Sequence, residues 1–245
     1  MSLTLARRAS AEFAGTAFLV AAVVGSGIAA ARLSPGDVGL QLLENAIATT
    51  FALGALILTF GPVSGAHLNP VVSAVDWWFG RRTGTGLTGS HLAAYAAAQT
   101  AGAITGSLLA NLMFDLPAVA LSKTDRTGGN LWLAEVVATA GLVVLIFSLA
   151  RTGRTSAAPA AVGAYIGAAY WFTSSTSFAN PAVTVGRAFT DTFAGIAPVS
   201  VPGFVAAQLV GGLVAVAALA AWYPHAGRAA GAVLVPPLSQ EAEAR

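Results

Sequence analysis

The sequence predicts an all-α membrane protein with six bilayer-spanning helices, two shorter re-entrant helices and two halves arranged as an inverted repeat. Three observations lead there. Of 245 residues, 56% are hydrophobic and 9% charged, whereas a soluble domain carries roughly 25% charged residues. Six runs of about 20 residues hold few or no charges, the length a hydrocarbon core of ~30 Å requires. Finally, motifs of the first half return in the second half in the same order.

The expected spans are 11–31, 38–60, 89–113, 131–150, 157–177 and 202–223. The first run is long and lacks a convincing cleavage pattern, which argues against a signal peptide. Arg7 and Arg8 precede the first span, Arg81 and Arg82 the third, Arg151 and Arg154 follow the fourth, and Arg228 and Arg245 the sixth. These are eight of the twelve Lys and Arg; Arg32, Lys123, Arg126 and Arg187 occupy the other connections. Cationic loops stay on the cytoplasmic side, so both termini are expected in the cytoplasm of a cell whose inner (plasma) membrane holds the chain. The basic pI does not signal nucleic-acid binding, because membrane spans separate the cations. With no cysteine and three scattered histidines, the chain offers no disulfide, no thiolate metal site and no nucleophile–base pair. Neither a cofactor, a metal nor an enzymatic activity is expected.

The repeat pairs Ala11-Glu12-Phe13 with Ala134-Glu135-Val136, and Thr16 with Thr139. It also pairs Asn69-Pro70-Val71 with Asn180-Pro181-Ala182, and Ala97-Ala98-Gln99 with Ala206-Ala207-Gln208. With three spans in each half, the halves insert with opposite orientation around a site near the midplane. The whole of 1–245 is expected to be one channel domain with repeats at about 1–115 and 130–226, followed by a short cytoplasmic tail, 227–245.

Two segments are apolar but too short to span: Gly65 to Gly80 and Asn180 to Ala194, each about 15 residues. Within each, Asn-Pro opens a helix, since proline suits a first turn where its missing N–H is not needed. Irregular backbone at membrane depth persists only when buried in protein or lining a watery cavity. Two half-helices meeting at their Asn-Pro ends meet that condition and imply a pore. Asn69 and Asn180 would each offer two amide hydrogens to the lumen, while the positive helix ends oppose cations.

Glu12 and Glu135 are carboxylates in apolar spans and need partners. Their repeat positions suggest backbone N–H groups of the two re-entrant loops; a proton relay is the alternative. Gln99 and Gln208 suit interhelical hydrogen bonding, and Gly102 with Gly106 suits close helix approach. His67 either lines the cytoplasmic half of the pore or packs its loop.

The segment Ser64-Gly65-Ala66-His67-Leu68-Asn69-Pro70-Val71, with Ser177-Phe178-Ala179-Asn180-Pro181-Ala182 and the two glutamate-opened spans, resembles the aquaporin, or major intrinsic protein, family. The resemblance covers nearly the whole chain. It implies an aquaporin-like fold, one pore per subunit, a homotetramer in the lipid bilayer, and small neutral solutes as cargo. Val71 replaces the alanine usual in the first motif, for which a packing adjustment is expected. Where the family nearly always has arginine, three residues after the second Asn, this chain has Val183. Carried over by spacing, the other filter positions are Thr49, Ala168 and Ser177. All four are small and uncharged, so the resemblance implies a wide, arginine-free filter.

Arg187 lies one helical turn beyond Val183, about 6 Å along the axis. It is expected either in the outer vestibule or paired with Asp191, four residues on. The stretch Ala169 to Val183 is similar to a bacterial aquaglyceroporin subgroup associated with arsenic-resistance operons, in which valine likewise replaces the filter arginine. That similarity implies passage of arsenite as arsenous acid, and of glycerol-like polyols or methylated arsenicals. The alternatives are a water or unselective small-solute channel and, in another class, an ion-coupled transporter.

Overall fold

In the computed structural model, which describes residues 4–81, 83–223 and 233, the described residues form helices and connections without strands. Helices α1 (Leu5–Leu33) and α2 (Val38–Ser64) are followed by α3 (Pro70–Gly80) and α4 (Gly89–Met113). The second half repeats the series with α5 (Gly129–Arg151), α6 (Ala158–Phe172), α7 (Pro181–Gly186) and α8 (Val201–Trp222). Local chemistry sets the boundaries. Asp37 caps α2 by accepting from Leu40 N–H at 2.9 Å, and Thr88 caps α4 through His91 N–H. At the far end of α2, Gly65 adopts a left-handed φ of 89° that ends the helix.

Packing follows the repeat. Helix α1 lies against α4 and α2, α5 against α8 and α6, and α2 crosses α6. The α1–α4 contact is backbone-close: a Cβ on Gly102 or Gly106 would overlap the carbonyl oxygens of Phe13 and Ala17. Gly211 on α8 faces the Val136 carbonyl of α5 in the same way. The half-helices α3 and α7 approach each other in the middle of the bundle.

Polar and apolar residues are distributed opposite to a soluble protein. Phe51 and Leu58 of α2 are 73% and 64% exposed, whereas Glu12, Glu135, Gln99 and Gln208 are wholly buried. Among the described residues, α1, α2, α5 and Pro198–Trp222 are long and apolar enough to cross a membrane. Two expected spans differ. Helix α4 is 25 residues long, but Gln99, Ser107 and Asn111 on its buried face lower its hydropathy.

Helix α6 stops at Phe172 rather than near 177. There the run Thr173-Ser174-Ser175-Thr176-Ser177 trades helix for local hydroxyl bonds, and Thr176 and Ser177 take positive φ. The second re-entrant helix is likewise shorter than its 15 expected residues. It comprises α7 and a 3-10 turn, Arg187–Phe189, after which Ile196 N–H returns to the Arg187 carbonyl at 3.3 Å. The expected tail, 227–245, lies outside the described residues apart from Val233, which is buried.

Gly106→Val should force α1 from α4 and cost about 1–3 kcal/mol. A lowered thermal unfolding midpoint in detergent would show it; an unchanged midpoint would mean that the helices part without penalty.

Candidate pore

The pore begins with the problem of holding two loops open at membrane depth. Glu12 solves it for the first. Its carboxylate accepts from His67 N–H at 3.0 Å, Leu68 N–H at 2.7 Å, Ser64 Oγ at 2.6 Å and Gln99 Nε2 at 2.7 Å. Glu135 does the same for the second, with Phe178 N–H and Ala179 N–H at 2.8 Å, Ser175 Oγ at 2.7 Å and Gln208 Nε2 at 2.6 Å. These bonds hold the non-glycine residues Ala66, Leu68, Ser177 and Ala179 at φ between 47° and 52°. Such backbone costs of order 1–3 kcal/mol per residue and persists only where its surroundings fix it. Each carboxylate spends its hydrogen bonds on its re-entrant loop, the serine before it and one glutamine, and none of them, among the described residues, comes from a second ionisable side chain.

At the centre, Asn69 and Asn180 cap α3 and α7. Asn69 Oδ1 accepts from Val71 N–H at 2.9 Å, and Asn180 Oδ1 from Ala182 N–H at 3.0 Å. Their amides differ from the expectation that both hydrogens serve the lumen. Asn69 Nδ2 donates to the Ala179 carbonyl at 2.8 Å and Asn180 Nδ2 to the Leu68 carbonyl at 2.7 Å. One N–H of each amide thus ties the halves together and one remains for a solute. Pro70 and Pro181 occupy the first helical turns. Val71 and Ala182 are buried away from the lumen, and Val71 packs at Gly212 of α8, where a Cβ would find its methyl group at 2.7 Å. The larger residue of the first motif is accommodated by the absent side chain opposite.

A cavity passes these asparagines, lined by Ala66, His67 and Leu68 of the first loop and by Ser177, Val183 and Arg187 of the second half. Its volume of about 60 Å³, where one water needs roughly 10–15 Å³, suits a file of a few small molecules. His67 is in its wall, its Nδ1 3.1 Å from Ser73 Oγ and its ring edge-on to Tyr95.

Three of the four expected filter residues, Thr49, Ser177 and Val183, line the cavity; Ala168 does not. It is exposed on the outer face of α6, and Tyr170 takes the place inside, its hydroxyl 3.2 Å from Thr49 Oγ1. Counting back twelve residues from Asn180 fails because α6 ends early and the connecting loop alters the register. Val162, Ile166 and Tyr170, four residues apart on one helix face, all line the cavity, but in a helix apolar on every side no signal marks that face. Phe178 was also missed; it lines the cavity with Ser177 and Val183 and packs on Phe204 at 5.1 Å between ring centroids.

Arg187 is buried in the cavity wall, and the filter region is not arginine-free. Its Nε donates to the Ala194 carbonyl, and its guanidinium carbon lies 3.4 Å from the Phe178 ring centroid. The pairing with Asp191 is absent: that carboxylate accepts from Lys123 N–H at 2.9 Å. Helix α4 anchors this outer segment, with Ser107 Oγ donating to the Gly186 carbonyl at 2.7 Å and Asn111 accepting from Thr190 Oγ1 at 2.7 Å.

A lumen built between inverted halves, flanked at its middle by two half-helix ends and walled by apolar side chains and a few hydroxyls, defines a membrane channel. The profile described as Major intrinsic protein matches residues 1–178. The chain is 54% identical over 213 residues to aquaglyceroporin AqpS of Rhizobium meliloti, covering 87% of this chain and 88% of that one. It is 31% identical over 223 residues to a probable aquaporin, AqpM, of Archaeoglobus fulgidus, covering 80% and 88%. In fold it is similar to the X-ray structure of the aquaglyceroporin from Plasmodium falciparum, with a TM-score of 0.60 and 20% identity over 90% of this chain and 97% of that one. The chain belongs to the major intrinsic protein family. It is an integral membrane protein and a passive small-solute channel, not an enzyme.

Replacing Glu135 by Gln sets an amide N–H against groups that all donate. The unmade charge-assisted bonds should cost about 1–3 kcal/mol, read as a lower thermal midpoint with slowed solute flux. Full stability of Glu135→Gln would mean that the loop holds its shape without the charge.

Proposed function

We propose that this channel conducts bulky neutral hydroxylated solutes, small polyols such as glycerol and arsenous acid among them, with methylated arsenicals at the upper end of its range. The observation that carries this reading is Val183, a small uncharged side chain in the outer cavity wall beside Ser177, whose buried hydroxyl has no hydrogen-bond partner among the described residues. A polyol has a carbon face and a hydroxyl face. The lumen supplies both surfaces: Leu53, Ile166 and Val183 on one hand, Thr49, Tyr170 and Ser177 hydroxyls on the other. The name of the Rhizobium meliloti relative, an aquaglyceroporin, supports glycerol. Arsenous acid rests on the similarity of Ala169 to Val183 to the arsenic-associated subgroup, and on its likeness to a small polyol in shape and polarity.

The proposed setting is the plasma membrane, with both termini cytoplasmic as the arginine distribution suggests. The proposed assembly is a homotetramer of single-domain subunits, each with its own pore. A water channel is the second reading, and Tyr170 favours it, because a phenol where alanine was expected reduces the cross-section of the filter.

Proteoliposomes distinguish the two readings by comparing glycerol and arsenous acid entry with water flux in one preparation. Rapid entry of all three supports the proposal, and water flux without the others supports the second reading. Val183→Arg should lower glycerol and arsenous acid permeability at least tenfold while lowering water permeability less. Equal losses in a folded protein would mean that Val183 does not set the size limit.

A further inference from the structure

We infer that Arg187 is the selectivity-determining cation of this channel, delivered to the filter from one turn beyond the position that Val183 occupies. The inference rests on the reading of the cavity as a pore for neutral solutes, and it assigns that pore its charge.

Arg187 is 2% exposed and lines the same cavity as Val183 and Ser177. A buried guanidinium ordinarily has a carboxylate beside it, because an unpaired charge in a low-dielectric interior is costly. Among the described residues Arg187 has none. Asp191 faces the Lys123 amide, and Glu135 spends its bonds on the re-entrant loop and Gln208. Two contacts fix the guanidinium instead. Its Nε donates to the Ala194 carbonyl, and its face lies on the Phe178 ring, whose negative face attracts a cation. No acceptor among the described residues takes its two terminal nitrogens, so their hydrogens are available to whatever fills the lumen. Water or a passing hydroxyl completes the shell of this charge.

The platform is specific to the outer half. Phe178 follows His67 by 111 residues, the spacing of the repeat. Both rings stand edge-on to an aromatic partner, Phe204 and Tyr95 respectively. Of these two rings, Phe178 alone carries guanidinium groups among the described residues. Arg126 also lies over it, 5.2 Å from the centroid, with its Nε donating to the Gly195 carbonyl at 2.9 Å. Adjacent carbonyls, Ala194 and Gly195, thus each position one arginine on one ring. The outer mouth is cationic without an arginine at 183, and the slim Val183 leaves the lumen wall open to the longer side chain behind it. A cation entering there meets a fixed positive charge before the two helix ends at the asparagines, while a neutral hydroxylated solute meets donors.

The test is proton and K⁺ leak into proteoliposomes of Arg187→Ala, measured with glycerol and water flux in the same vesicles. Leak should rise at least tenfold, by far more than glycerol flux changes, and moving the charge back in Val183→Arg/Arg187→Val should restore exclusion. A folded Arg187→Ala whose leak and glycerol-to-water ratio equal those of the unaltered protein would overturn the inference. If Arg187→Ala does not assemble, Arg187→Gln, which keeps a planar donor without charge, gives the same readout. Misfolding of both would overturn it too, since Arg187 would then be structural. The two readings fail separately. An unaltered channel that passes water but no glycerol sinks the polyol proposal and leaves the leak test standing. Normal glycerol passage with leak indifferent to Arg187 sinks only the inference.

Discussion

Everything in this molecule depends on two carboxylates that face no solute. A loop at the middle of a bilayer has no water to satisfy its N–H groups, and hydrocarbon offers nothing in return. Glu12 and Glu135 supply acceptors from neighbouring helices, two backbone N–H groups each. The left-handed residues on either side follow from that anchoring. So do the starting points of α3 and α7, and with them the position of both asparagines. Remove the carboxylates and the polar loops have no reason to stay where the lumen needs them. The charge is buried for the sake of backbone, which explains why each sits on an otherwise apolar helix and why both are fully enclosed.

The two halves share this frame and differ in the rings they present to the cavity. Ser73 in the first half and Thr184 in the second receive the same glutamine hydrogen bond, from Gln99 and Gln208. The inner ring position is an imidazole held by Ser73; the outer is a phenyl ring carrying two guanidinium groups. Symmetry in the scaffold with asymmetry in the lumen lets one architecture hold an imidazole in one part of the wall and guanidinium groups in the other.

Much of this was legible in the chain. Hydropathy exposes helices, and the recurrence of Glu, Asn-Pro and Gln at matching intervals exposes the inverted halves, because both signals are local and survive without coordinates. The filter was less legible. Position 168 was reached by counting across a loop, and a serine- and threonine-rich segment that leaves the helix at Phe172 invalidates the count. Tyr170 shares a helix face with Val162 and Ile166, yet an apolar helix reads alike on all sides, so nothing in its composition marks the lumen. Arg187 was visible as a cation but not its direction, which is decided by a carbonyl seven residues on and a ring nine residues back. The asparagine amides were placed at the pore, but their bond to the opposite half is a contact over more than 100 residues, invisible to any local pattern.

That reciprocal bond also sets an order of events during biosynthesis. The Leu68 carbonyl is made 112 residues, and the Asn69 amide 110 residues, before the partner that binds it. At about 5–20 residues per second, the ribosome leaves the first loop without its counterpart for roughly 5–20 s. Its own anchors come early, since Glu12 and Ser64 precede it and Gln99 follows within 30 residues of Asn69. The first half therefore enters the membrane with its loop shaped but its lumen unsealed on one side. The passage becomes a closed conduit only when the last helices arrive, so a chain truncated after α4 holds half a wall and no pore.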